Sequence, residues 1–203
     1  MKRLGLIVAL TVLLAVGLRA TSLGPDLSYI RAGTDVATAT KSIGNGSAVL
    51  DLRYATDEAA AAPLFTAIKS APANPQRILI VLLSPETSLG LRARLAGLSR
   101  ILTVGRAATD FKTDIVVTTS SEADRRAFDA LVAGTPPEKL MIENADKPRF
   151  DESTLVKEHA TGIAAEHPTP SKTEADAPEK PLVDAVLQRA VHIHRGLVAL
   201  RKI

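Results

Sequence analysis

The chain of 203 residues contains no cysteine and no tryptophan, and only four Phe and two Tyr. The lack of cysteine excludes disulfides and thiolate metal sites, and it leaves no lipid-attachment site at the end of the N-terminal segment. So few aromatic side chains provide little material for platforms on which bases or sugars stack. A folded chain of this composition must be held together by its hydrophobic core, and 46% of its residues are hydrophobic.

The N-terminal segment has the layout of a secretory signal. Lys2 and Arg3 precede an uncharged run from Leu4 to Leu18, and small residues follow at Ala20 and Ser22. This run is shorter than the roughly 20 residues that cross a bilayer. We therefore predict a signal peptide over residues 1–22 and an exported protein, periplasmic or secreted. Cleavage after Ser22 fits the small-residue rule better than cleavage after Ala20, and an uncleaved leader would instead tether the chain to a membrane.

The positive charge of the chain belongs largely to this leader. The leader holds three of the 25 basic residues, so 22 basic residues remain beside 22 acidic ones. Binding to nucleic acid requires a basic surface that neutralises phosphates. The near-neutral remainder therefore argues against a nucleic-acid partner, and contact with a membrane is expected only through an uncleaved leader.

Apolar runs alternate with helical patterns between residues 24 and 143. This alternation is typical of crossover units and predicts an α/β domain with a mostly parallel sheet. Ser84-Pro85-Glu86 has the cap, proline and acidic residue of a helix start, and Ser121 opens a further helix that Gly134 ends. The predicted strands are 27–32, 48–52, 77–83, 101–104 and 114–118, all but the first as buried strands, and the first predicted helices are 34–42 and 57–70. Asp57 is a possible cap of the second helix, and Pro63 indicates that its regular part starts near Ala62 or bends there.

The last 60 residues divide into two parts. Residues 144–180 are rich in Lys, Glu, Asp, Pro and Thr and predict a polar flexible linker. Residues 181–203 predict an amphipathic helix with one apolar stripe. The stripe must be buried, either by folding back on the core, which we favour, or against a protein or peptide partner. Its members are Val183, Val186, Leu187, Ala190, Ile193, Leu197 and Leu200.

The four histidines do not form a recognisable metal site. His192 and His194 lie two positions apart on a predicted helix, which points them about 200° apart around its axis. His159 and His167 lie in or beside the linker. We expect solvated or rim histidines and no metal. No glycine-rich loop joins a strand to a helix, so no cofactor is predicted either.

Three segments resemble the tail-specific (C-terminal processing) serine proteases. LSYIRAGTDVATATKSIGNGSAVLDLR, residues 27–53, is similar to the family's I-G-Y-I-R strand, helix and D-L-R-x-N-x-G-G strand. RILIVLLSPETSLGLRARLAGL, residues 77–98, resembles the strand and nucleophile helix V-x-V-L-V-N-x-x-T-A-S-A-S-E. ILTVGRAATDFK, residues 101–112, resembles the loop L-x-G-x-x-T-x-G-K. The resemblance implies a ClpP/crotonase-like layered core over residues 27–118, without the PDZ domain that these proteases usually carry.

The same resemblance implies a serine nucleophile and a lysine base, for which Ser88 and Lys112 are the weak candidates. The nucleophile position, two residues after Thr87, is Leu89, and Ser88 stands one residue early. Phe111 replaces the glycine before the lysine. The oxyanion-hole glycines after Asp51-Leu52-Arg53 are also replaced, since Thr56, Asp57 and Glu58 follow there. We therefore assign no catalytic residue.

The sequence favours a non-catalytic exported protein that serves as a binding or scaffold module. Ser88 then belongs to the first turn of a helix, Lys112 is an exposed loop residue, and Asp51 to Arg53 end a strand and lock neighbouring loops. Asp57 and Glu86 are explained as first-turn residues favoured by the helix dipole. The alternatives are a cryptic serine hydrolase that uses Ser88 and Lys112, and a membrane-tethered periplasmic protein.

Overall fold

The structure is a computed structural model that describes residues 20–32, 36–70, 74, 76–96, 98, 100–142 and 181–203. These residues form an α/β fold with a six-stranded sheet in the order β1-β2-β3-β4-β5-β6. Strand β1 pairs antiparallel with β2, and all the other pairs are parallel. The strands are β1 Thr21–Gly24, β2 Leu27–Arg31, β3 Ser47–Asp51, β4 Leu79–Leu83, β5 Ile101–Arg106 and β6 Ile115–Val117.

Helices cover both faces of the sheet. The helices are α1 Val36–Asn45, α2 Glu58–Ser70, α3 Leu89–Leu95, α4 Ser121–Val132 and α5 Ala185–Ala199, with a 3-10 turn at Pro137–Leu140. Alternate residues of each central strand point to opposite faces. In β3, Leu50 packs with the cluster that contains residues of α1, α2 and α3, whereas Val49 packs with α4 and α5. The central strands are therefore buried on both sides, as their continuous apolar sequence predicts.

The α/β class and the mostly parallel sheet are confirmed, but two strands differ from the prediction. Strand β1 was not predicted, and its first residues, Thr21 and Ser22, fall inside the predicted leader. Strand β6 was predicted as a buried strand, yet it is the short edge of the sheet and Val116 is 54% exposed. Because an edge strand has a neighbour on one side only, the apolar run alone did not distinguish it from an interior strand.

Two helix starts were also predicted wrongly or left open. Helix α2 begins at Glu58, so a regular start near Ala62 is wrong, whereas the cap at Asp57 is confirmed: its carboxylate accepts the Ala59 and Ala60 N–H groups at 2.8 and 3.1 Å. Helix α3 begins at Leu89 rather than at Ser84. The residues before α3 form a turn, in which the Thr87 N–H donates to the Ser84 carbonyl at 3.0 Å. Helix α4 is capped by Ser120 and followed by Gly134 at φ 96°, as expected for its end.

The C-terminal helix folds back onto the sheet, which is the interpretation that the sequence favours. Val186, Leu187, Ala190 and Val191 are at most 1% exposed and belong to the core cluster of β3, β4 and β5. Leu200, predicted to belong to the stripe, is 70% exposed. The predicted linker 144–180 lies outside the described residues. Within the described ranges, none of the helices has the length and apolar character needed to cross a membrane.

Candidate functional site

The carboxyl ends of β3 and β4 carry the residues that the protease resemblance singles out. Because the two strands are parallel neighbours, the loops that follow them lie side by side. Three hydrogen bonds join these loops: the Thr87 hydroxyl donates to the Leu52 carbonyl at 3.0 Å, the Tyr54 N–H donates to Ser84 Oγ at 3.2 Å, and the Ser88 N–H donates to the Ala55 carbonyl at 3.0 Å. The loops are therefore fixed to each other by both backbone and side-chain bonds.

Ser88 is the N-cap of α3. Its Oγ accepts the Leu91 N–H at 3.2 Å and donates to Glu58 Oε1 at 3.2 Å. An N-cap hydroxyl satisfies one of the N–H groups that the first turn of a helix leaves unpaired. The sequence placed Ser88 in the first turn, and the structure moves it one position earlier. Leu89, at the position that corresponds to the nucleophile, is 75% exposed.

The Glu58 carboxylate lies in front of the first turn of α3. Besides accepting from Ser88, it lies so close to Gly90 that a Cβ at that glycine would overlap its oxygens. In an acyl-transfer enzyme, this region would have to be open for a substrate carbonyl and its developing negative charge. Here a carboxylate fills it, and that negative charge would repel an oxyanion.

Lys112 is exposed and makes no hydrogen bond or ion pair with any residue in the described part of the chain. No hydrogen bond joins it to Ser88, whose side-chain partners are Glu58 and Leu91. Its neighbour Phe111 is buried, and the guanidinium of Arg92 stacks over the Phe111 ring at 5.3 Å. A lysine acts as a general base only when burial or a neighbouring cation keeps it neutral. The exposed position of Lys112 provides no such burial.

A buried charge cluster lies beside these loops, and Arg53 is its centre. Arg53 is 1% exposed and forms ion pairs with Asp51 at 2.7 Å, Asp124 at 2.9 Å and Asp184 at 2.8 Å. Its Nε donates to Asp51, Nη1 donates to Asp124 and Asp184, and Nη2 donates to Asp51 and Asp184. All five N–H donors of the guanidinium therefore have acceptors.

The six carboxylate oxygens of the cluster are also satisfied. Tyr29 donates to Asp51 at 2.8 Å and Tyr54 donates to Asp124 at 2.7 Å, while Asp184 also accepts the Leu187 N–H as the N-cap of α5. Burial and the charge of Asp51 raise the pKa of Tyr29 well above its ordinary value, and burial and the bond to Asp124 raise that of Tyr54. Both hydroxyls therefore remain protonated donors at physiological pH.

Electrostatics keep the guanidinium charged despite its burial. Burial by itself lowers the pKa of Arg53, but the carboxylates of Asp51 and Asp184 raise it well above the ordinary value. The Phe128 ring lies 5.6 Å from its central carbon and covers one face. The guanidinium N–H groups and the carboxylate oxygens are all paired within the cluster, and Arg53 and the three aspartates are buried. The cluster therefore presents no unpaired donor or acceptor to a substrate. It links β3, α4 and α5, which is a structural role.

The remaining sequence candidates lie apart from one another. Glu86 is exposed in the turn before α3 and pairs with Arg106 at 3.0 Å, so it is not a first-turn residue of that helix. His192 is exposed, whereas His194 is 4% exposed, which makes the expectation of a solvated or rim histidine wrong for His194. His159 and His167 lie outside the described residues. Within the described part of the chain, no three His, Cys, Asp or Glu side chains are grouped to hold a metal ion.

Sequence reasoning missed the charge cluster, although it marked Asp51 to Arg53 as a strand end that locks loops. Asp124 and Asp184 are 71 and 131 residues from Arg53, and no local pattern indicates that they converge. One signal was present: Asp184 stands immediately before the apolar stripe of the last helix, where an N-cap is expected.

Comparison with known proteins does not add a relative to this picture. No family model, curated protein or solved structure matches the chain.

Proposed function

We propose that the chain is an exported, non-catalytic protein with a degenerate core of the tail-specific protease type, and that it serves as a binding or scaffold module. The observation that carries the proposal is the bonding of Ser88. Its hydroxyl caps α3 and donates to Glu58. Lys112, which the resemblance implies as the base, is exposed and forms no hydrogen bond with Ser88 or Glu58. A serine held in this way lacks the lysine base that the resemblance implies.

The order of elements supports the finer assignment to a crotonase-like core. Asp51-Leu52-Arg53 ends a parallel strand, the next strand leads through a turn into α3, and the following strand leads to the Lys112 loop. This is the order in which the protease motifs occur. The loss of the oxyanion glycines is consistent with a core that is retained for binding. The proposal includes a protein or peptide partner that binds at the C-terminal end of α5. Val198 and Leu200, which are 49% and 70% exposed, would provide apolar contacts to it.

A comparison of two Ser88 variants tests the non-catalytic assignment. The full chain is incubated with a fluorophosphonate probe and, separately, with an unstructured peptide at neutral pH. We expect no labelling and no turnover above that of buffer. Ser88→Ala should behave identically in both assays but lose about 1 kcal/mol of unfolding free energy, because the N-cap of α3 is removed. Ser88→Thr keeps the capping hydroxyl and should lose less.

Turnover by the wild-type protein that disappears in Ser88→Ala would overturn the proposal and favour the cryptic hydrolase. In that case Lys112→Ala and Glu58→Gln identify the base. A loss of activity in Lys112→Ala supports the dyad that the resemblance implies, and a loss confined to Glu58→Gln assigns the role to the carboxylate that bonds Ser88.

A further inference from the structure

Two adjoining cavities lie at the amino ends of the parallel strands, at the opposite end of the sheet from Ser88. The first, of about 360 Å³, is lined by polar residues that include Asp26, Asn45, Ser47 and Arg77. The second, of about 260 Å³, is lined mainly by apolar residues that include Leu23, Leu27 and Val191. His194 and Val198 line both cavities. Together they form a cleft with a polar end and an apolar end, in the size range of small-molecule sites, about 300–1,000 Å³.

His194 stands between the two ends of this cleft. It is 4% exposed, yet it makes no hydrogen bond or ion pair with any residue that the structure describes. Burial and, to a smaller extent, the charge of Arg195 lower its pKa, against an opposing effect of Asp26. The imidazole is therefore neutral at pH 7 and offers one donor and one acceptor. Neither ring nitrogen is among the described unpaired polar atoms that are shut off from solvent, so the polar edge of the ring reaches the cleft and can bond to a molecule bound there.

The polar end of the cleft is lined by one acidic and one basic residue that do not form an ion pair with each other. Asp26 and Arg77 line the same cavity, and neither forms an ion pair with any described residue. Arg77 donates to the Gly44 carbonyl, which fixes one end of its guanidinium and leaves other donors. Asp26 is held at the turn between β1 and β2 with φ 56°, and its carbonyl accepts the Ser47 N–H at 2.9 Å. The backbone thus fixes the position of the carboxylate-bearing residue.

We propose that this cleft binds a zwitterionic apolar dipeptide, with its ammonium group facing Asp26, its carboxylate facing Arg77 and an apolar side chain in the apolar cavity. A purely anionic or cationic amphiphile would leave one of the two charges without a counterpart and would be repelled by the other. A polar zwitterion would leave the apolar cavity unfilled. His194 would bond to the peptide group between the two ends. This inference deepens the proposed function, since it gives the binding module a ligand class.

Calorimetric titration of the full chain at pH 7 with leucyl-leucine tests the proposal. Three matched probes each remove one feature: N-acetyl-leucyl-leucine removes the ammonium charge, leucyl-leucine amide removes the carboxylate charge, and glycyl-glycine removes the apolar side chains. We expect leucyl-leucine to bind and each of the others to bind at least tenfold more weakly. The ring resonances of His194 should shift on binding of leucyl-leucine.

Variants of the cleft identify which residue reads which group. Asp26→Asn preserves the local backbone, because Asn adopts positive φ readily, and it should abolish the preference for the free amine. Arg77→Gln should abolish the preference for the free carboxylate, and Val198→Glu should weaken binding by placing a charge beside the apolar end. Arg189→Gln, on the exposed side of α5, should bind as the wild-type protein does. Thermal unfolding of each variant verifies that it is folded. If Arg77→Gln does not fold, the binding data of Asp26→Asn decide the test.

Four results would overturn the inference. The first three are no binding of leucyl-leucine at millimolar concentration, equal binding of the four probes, and an Asp26→Asn variant that discriminates the amine as before. Tighter binding of the acetylated dipeptide would also overturn it and indicate an anionic ligand. These outcomes are separate from the test of the proposed function. Hydrolysis of leucyl-leucine during the titration would contradict a non-catalytic protein and leave the binding site intact.

Discussion

The single guanidinium of Arg53 forms ion pairs with three buried carboxylates, those of Asp51, Asp124 and Asp184. Such an arrangement is tolerated because each oxygen accepts a hydrogen bond, two of them from tyrosine hydroxyls. Its specificity comes from geometry, since the planar fork of an arginine reaches several carboxylates at once. A lysine at this position would offer three donors in place of five.

Arg53→Met tests this dependence. The substitution leaves Asp51, Asp124 and Asp184 buried without a counter-charge, so we expect a loss of at least about 3–5 kcal/mol in unfolding free energy or no folding at all. Chemical denaturation measures it, with Arg189→Met as the exposed control, expected within about 0.5 kcal/mol of the wild-type protein. Adding Asp124→Asn and Asp184→Asn to Arg53→Met should restore part of the loss. A stability equal to that of the control would show that the carboxylates do not need the guanidinium.

The sequence indicates the local half of this cluster and not the distant half. Asp51 and Arg53 flank Leu52 at the end of an apolar strand, where polar residues are expected to meet neighbouring loops. Their partners on α4 and α5 are brought in by tertiary packing, and their separation along the chain leaves no periodic signal. The same limit applies to His194, which lines a cavity together with Gly24 and Pro25 near the turn between β1 and β2.

At the scale of elements, prediction succeeded where one local pattern decides the structure. Apolar runs flanked by turn residues predicted β2 to β5, and Ser120 and Gly134 frame α4 as capping rules require. It failed for α3, because Ser84 and Thr87 bond to the neighbouring loop and to each other rather than to helix N–H groups. It also failed for β1, because Thr21 and Ser22 were assigned to the end of the predicted leader although they begin this strand.

Strand β1 bears on where the proposed leader ends. Thr21 and Ser22 pair with Tyr29 and Ser28, so cleavage after Ser22 would remove two of the three paired positions of β1. Cleavage after Ala20 leaves the strand intact. We therefore expect protein recovered from the periplasm of an expressing bacterium to begin at Thr21, as measured by intact mass and N-terminal sequencing.

A bulky residue at the cleavage position provides the control for this prediction. Ala20→Tyr should block processing after residue 20, because the peptidase requires a small residue there. A mature protein that begins at Leu23 would show that the first half of β1 is dispensable. An unprocessed protein that sediments with membranes would favour the tethered alternative over the exported one.

At the scale of the whole molecule, the sheet depends on a helix supplied from the far end of the chain. Helix α5 provides Val186, Leu187, Ala190 and Val191 to the face formed by Val49, Ile80, Leu82 and Val104. Its N-terminus also provides Asp184 to the Arg53 cluster. The residues on either side of the segment 143–180 lie close together. The Asp184 N–H donates to the Leu140 carbonyl at 2.8 Å, and Gln188 Nε2 donates to the Ile142 carbonyl at 3.0 Å.

Removing residues 181–203 should therefore abolish cooperative unfolding. Burying one Val or Leu side chain contributes about 1.5–3 kcal/mol to the free energy of unfolding, and the net free energy of unfolding of a domain is about 5–15 kcal/mol. The loss of α5 together with Asp184, a partner of Arg53, should therefore remove most of the stability. A synthetic peptide of residues 181–203 added in trans should restore the transition, and the same peptide with Val191→Asp should not.

The matched internal deletion separates the helix from the segment that precedes it. Replacing residues 143–180 by a short Gly/Ser linker should keep the fold, because Leu140 and Asp184 are already hydrogen-bonded and the linker has little distance to span. Circular dichroism and thermal unfolding measure both deletions, and sedimentation measures self-association. If the chain without α5 unfolds cooperatively with an unchanged midpoint and only loses self-association, α5 serves an interface between chains, and its place in the core of a single chain is wrong.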